Sequence, residues 1–188
     1  MFDEAKAAAM TSYFIDALGV DSIDILRLMK LLYLAERESL QEDVALMIGD
    51  EFVSMRLGPV LSTTYNCIKG QVSCAVWNQF FGPRQGNSVI RKANLPPARL
   101  LTKSEIQILE RVWKTVGHLS TPALVNYVHD NCPEWVKPPE GKSSSPMPLE
   151  IVLERALGVN PAVAKSQANM IRSANGMRRW AKTFGDGG

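Results

Sequence analysis

Apolar positions recur at helical spacing along most of the chain, and only short pieces read as strands. Asp3 to Leu18 predicts a first helix, with acids at its start suited to the positive end of the helix dipole and Gly19 ending it. Asp21 is expected to cap a second helix running to about Leu40. Its middle, with Ile25, Leu26, Leu28, Met29, Leu31, Leu32 and Leu34, is apolar nearly all round. A helix without a polar face is normally enclosed by other elements, so this one is expected at the centre of the core.

The pattern then shortens. Glu51 to Met55 reads as a strand ended by Gly58-Pro59, and Pro59 suits the first turn of a helix from Val60 to about Lys69. Ser73 to Phe81 predicts a short helix, closed by Gly82-Pro83. Ser88 to Lys92 predicts a second strand, expected to pair with the one near Phe52. Thr102 and Glu105 form a capping box ahead of Ile106, Leu109, Trp113 and Val116, a helix running to Gly117. Ser120-Thr121-Pro122 starts another helix, ending near Asn131. Lys137 to Pro148 holds four prolines, three serines and a glycine in 12 residues, the composition of an exposed, flexible loop. Pro148 opens a helix through Leu157, Asn160-Pro161 starts a last one to about Trp180, and Gly185 to Gly188 reads as a frayed tail. The fold class is therefore mostly α: a single compact helical domain over residues 1–188 with a small two- or three-stranded antiparallel β element.

Composition narrows the function. At 46% hydrophobic and 21% charged, the chain is ordinary for a globular protein. Its longest stretch with few charges, Ile23 to Ala35, contains Asp24, Arg27 and Lys30, too short and too charged to span a bilayer. Met1-Phe2-Asp3-Glu4 does not read as a signal peptide, so a cytoplasmic location is expected. Cys67, Cys74 and Cys132 match no common zinc spacing and are expected as reduced thiols; with only His118 and His129 besides, no metal site or cofactor is expected. The net charge of +2 hides strong segregation: residues 1–51 hold 11 acids and 4 bases, residues 52–104 hold 7 bases and no acid. Such segregation reflects faces that meet within the fold or a patch facing a partner; the first reading is favoured.

No catalytic constellation stands out. His129 and Cys132 lie three residues apart near a helix end, whereas a cysteine nucleophile normally draws its histidine from elsewhere in the fold. A small buried cysteine, with a histidine bonded to a local carbonyl, is the favoured reading, and a cysteine-dependent enzyme the weaker one. Glu36 and Glu38 read as part of a solvated helix end. Trp113 sits on an apolar helix face and belongs to the core, while Trp135, after Pro133-Glu134, is expected to be partly exposed. Lys165, Arg172, Arg178, Arg179 and Lys182 form a basic C-terminal helix over about 160–184, without a helix-turn-helix signature.

Taken in order, these pieces resemble the Panacea domain, the SocA-like antitoxin family, over roughly residues 20 to 157. The resemblance is carried by Lys30-Leu31-Leu32-Tyr33-Leu34-Ala35, by Phe52-Val53-Ser54-Met55-Arg56-Leu57-Gly58-Pro59-Val60 with Tyr65-Asn66, and by Leu101 to Glu105. Leu119-Ser120 with Leu124, His129 and Pro133-Glu134-Trp135 continues it, and Met147-Pro148-Leu149-Glu150 closes it. Met55 and Ser62 depart from the aromatic and proline that many relatives carry near the turn. The resemblance implies a non-catalytic protein that neutralises a cognate toxin by direct contact. Met55, Arg56, Tyr65, His129 and Trp135 are the candidate partner-binding residues, and Lys30, Tyr33, Gly58 and Pro59 the structural motif. A proteolytic adaptor, or a DNA-binding regulator using the C-terminal helix, is the alternative; binding to nucleic acid is not favoured.

Overall fold

The computed structural model describes residues 2–184, with side chains described as far as residue 174 apart from residue 98. The tail from Gly185 and the side chains of Trp180, Arg178, Arg179 and Lys182 lie outside that description. Helix α1 (Glu4–Leu18) begins where the Asp3 carboxylate accepts from the Lys6 amide and ends at left-handed Gly19, as its sequence predicts. Helix α2 (Ile25–Asp43) is the centre of the molecule. Leu28, Leu31, Leu32 and Tyr33 are fully buried, and α1, α5 (Lys103–Val116), α6 (Thr121–Asn131) and α7 (Leu149–Leu157) pack around it. The capping box of Thr102 and Glu105 starts α5, and Ser120 caps α6. Helix α8 (Pro161–Phe184) packs on α7 through Ala164, Ala168 and Ile171, leaving Val163 and Met170 exposed.

The start of α2 differs from the expectation. Ser22–Asp24 is a strand, β1, and Asp24 rather than Asp21 accepts from the Arg27 amide at 2.9 Å. Asp21 instead faces Arg91, at 2.8 Å. Strand pairing differs too. Strand β2 (Phe52–Met55) pairs with β3 (Gly58–Leu61), Met55 opposite Gly58 across an Arg56-Leu57 turn, while β4 (Ser88–Ile90) pairs with β1. Gly58-Pro59 therefore opens a strand instead of ending one, and helix α3 (Ser62–Ile68) starts later than predicted. Proline is tolerated there because β3 is an edge strand, paired on one side only, with β2. The buried Asp50 carboxylate stabilises the start of α3, accepting from the Thr63 and Thr64 amides at 2.8 Å each and from the Thr64 hydroxyl at 2.7 Å.

Two further expectations are corrected. The segment 137–148 is not wholly irregular: Ser144–Pro146 forms β5, Val53 opposite Pro146, and the Met147 amide donates to the Phe52 carbonyl at 3.0 Å. Cys67 and Cys74 are bridged, their Cα atoms 5.7 Å apart, because the chain reverses at left-handed Gly70 between α3 and α4 (Trp77–Phe80). Cys132 alone is a free thiol among the described residues. No helix among them is long and apolar enough to cross a membrane.

Candidate functional site

The hairpin β2–β3 is the element on which the candidate residues converge, and α2 holds it from beneath. Lys30 is fully buried, and its Nζ donates to the Pro59 carbonyl at 2.8 Å. Gly58 has φ +104, and a Cβ there would lie 3.0 Å from Lys30 Cε. Both conformation and close approach therefore require glycine. Burial, eased slightly by the nearby Cys132 thiol, lowers Lys30 to about 7.

One turn along α2, Tyr33 donates its hydroxyl to Glu134 Oε1 at 2.5 Å, and Arg37 Nε donates to the same oxygen at 2.6 Å. Glu134 is fully enclosed, so this contact ties the segment after α6 to the central helix across 101 positions of sequence. Burial, reinforced by the Glu134 charge, holds the Tyr33 hydroxyl well above its ordinary value. Next to it, the Trp135 indole N–H donates to the Met55 carbonyl at 3.0 Å, and its ring stacks on His129 with centroids 3.9 Å apart. Trp135 is thus half-buried, as expected of it, but it serves as a brace for the hairpin. His129 does not bond a local carbonyl: its Nε2 is buried without a hydrogen-bond partner, and burial followed by the Lys30 charge lowers its basicity. Burial, then the Glu134 charge, pushes the Cys132 thiol up to about 12, the opposite of an activated nucleophile.

In front of the hairpin lies a groove of about 620 Å3. It runs between the start of α2, the Arg56-Leu57 turn, the end of α3, the Arg84–Asn87 turn and Gly141–Ser143. Lys30, Met55, Arg56 and Tyr65 all line it, so four sequence-predicted residues meet at one place; Tyr33, His129 and Trp135 do not line it. Arg56 is exposed and Tyr65 half-buried, with the Lys69 ammonium 5.1 Å from the Tyr65 ring centroid.

Sequence reasoning missed Lys69, Arg84, Leu57 and Lys142 in this groove, and Glu134 and Arg37 behind it. The acid-free stretch 52–104 was the signal for the first two. Part of that charge does meet acids inside the fold, Arg91 pairing with Asp16 and Asp21. No grouping of histidine, cysteine and carboxylate side chains able to hold a metal occurs among the described residues.

A family model described as the antitoxin SocA-like Panacea domain matches residues 28–136. The matched span runs from α2 to Val136, just past Trp135, and so takes in the hairpin, most of the groove and the Glu134 brace. No curated protein and no solved structure matches the chain.

Proposed function

The chain belongs to the SocA-like Panacea antitoxin family, and from that membership we propose that it neutralises a cognate protein toxin by direct contact at the β2–β3 hairpin. The family match is the observation that carries this reading. The geometry supports it in two ways. The turn is presented outward, with Arg56 exposed and Leu57 53% exposed. It is also held rigidly from behind by Lys30 on Pro59 and by Trp135 on Met55. A rigid, exposed arginine and leucine offer contact area without a large ordering cost on binding. Neutralisation of this kind needs no catalytic group, in keeping with the inert setting of Cys132.

The test is co-expression with the product of the adjacent gene. Restored growth and a complex that copurifies are expected. If growth stays arrested and the two proteins elute apart, the antitoxin reading is wrong.

A further inference from the structure

The groove in front of the hairpin has a chemical character that indicates what it receives. Four exposed cationic side chains line it, Arg56, Lys69, Arg84 and Lys142, above the buried Lys30. None of them forms an ion pair with a carboxylate among the described residues. The single lining acid, Asp24, is occupied in capping α2. Several basic groups elsewhere do meet acids, Arg91 with Asp16 and Asp21, Arg111 with Glu38 and Glu42, and Arg172 with Glu150, whereas the groove gathers four exposed cations, Arg56, Lys69, Arg84 and Lys142, at one place without a carboxylate partner among the described residues. Lys30 lies beneath them, fully buried with the neutral Pro59 carbonyl as its hydrogen-bond acceptor, and burial weakens its hold on its proton, so it supports the hairpin while the exposed cations face the groove.

Between these charges the groove is apolar, floored by Ile25, Met29, Met55 and Val60 and edged by the exposed Leu57. The cations at its edge are exposed to solvent, which suits a chain segment lying across it better than a small molecule enclosed by it. We infer that this groove docks an acidic amphipathic segment of the toxin, apolar side chains seated on Ile25, Met29 and Val60 and carboxylates set among Arg56, Lys69 and Arg84. The inference rests on the antitoxin reading for the source of that segment, and adds to it the location and the chemistry of the contact.

Two titrations test it, each made with the whole protein and with the double variant Lys69→Glu, Arg84→Glu after its melting temperature is shown to match. In the first, the adjacent gene's product is the partner. The double variant should bind about tenfold or more weakly, and the steep loss of wild-type affinity with added salt should flatten. Unchanged affinity and salt dependence, with neutralisation intact, would overturn the groove while leaving the antitoxin reading in place. In the second, a fluorescein-labelled peptide of leucines and glutamates at helical spacing is the probe. If the gene product does not bind at all, the antitoxin reading falls and the peptide alone decides. Saturable, salt-sensitive binding in the micromolar range, lost in the double variant and in a peptide with lysine for glutamate, supports the groove. No peptide binding, saturation by ATP in place of the peptide, or a dimer of this chain that the double variant abolishes would each refute it.

Discussion

Lys30 and Glu36 are both fully buried on α2, and together they set how stability answers to pH. Burial pushes Glu36 up to about 8, with the Asp50 charge adding to the rise and the Ile48 amide, which donates to Oε1 at 2.5 Å, opposing it. Glu36 is thus not the solvated group its position after Ala35 suggests. In the unfolded chain it ionises near 4.5, so between 4.5 and about 8 the native state holds the extra proton. Stability then falls as pH rises through that window, by at most about 1.4 kcal/mol per pH unit. Lys30 acts in the opposite sense. The native state releases its proton near 7 and the unfolded chain near 10.5, so stability rises between those values. For wild type a minimum of melting temperature is expected between 7 and 8. Glu36→Gln, which keeps an acceptor for the Ile48 amide, should remove the fall on the acid side. A variant whose melting profile runs parallel to wild type from 4.5 to 8 would contradict this assignment.

At the scale of elements, the hairpin depends on contacts to two other parts of the chain. Lys30 on α2 holds the Pro59 carbonyl, and Trp135 beyond α6 holds the Met55 carbonyl. Trp135 is itself positioned by its neighbour Glu134, which Tyr33 and Arg37 anchor. Glu134→Ala removes the shared acceptor and leaves a buried hydroxyl and a mostly buried guanidinium without their partner. A loss of about 2–4 kcal/mol in urea unfolding is expected. Arg37 retains some solvent access, which keeps the loss below that of a fully enclosed charge. A change below about 0.5 kcal/mol, the range of neutral surface substitutions, would show that Glu134 is not a brace.

Over the whole molecule, the proposed contact at the hairpin assigns stability and partner binding to different residues, and substitutions should separate them. Leu32→Ala opens a cavity in a fully buried position and should cost about 2–5 kcal/mol, lowering melting temperature and neutralisation together. Arg56→Ala touches an exposed, unpaired side chain and should leave melting within about 0.5 kcal/mol of wild type while weakening neutralisation. The sequence alone suggests the same for Trp135→Ala. The His129 stack and the bond to Met55 revise that expectation, and this variant should also melt lower. Full neutralisation by a stably folded Arg56→Ala would exclude the turn as a contact. The basic C-terminal helix would then be the better surface to test.

The sequence by itself determined the helices whose signals are local. Asp3, the Thr102–Glu105 box, Ser120 and Asn160 each bond an amide three residues along, within reach of any reader of the chain. The apolar run from Leu26 to Leu34 likewise placed α2 inside, since no rotation of such a helix exposes a polar face. Tertiary structure decided what depends on partners distant in sequence. Ser88–Ile90 pairs with Ser22–Asp24 because Ile23 and Val89 enter the core together, whereas strand spacing alone fits either partner. Asp50 became a buried cap, Glu36 a buried acceptor and Glu134 a brace only once groups 14, 12 and 101 positions away came within reach. The groove has the same origin. Arg56, Lys69, Arg84 and Lys142 lie far apart along the chain, and only folding leaves them exposed together without an acid partner among the described residues, while Arg91 from the same acid-free stretch meets Asp16 and Asp21.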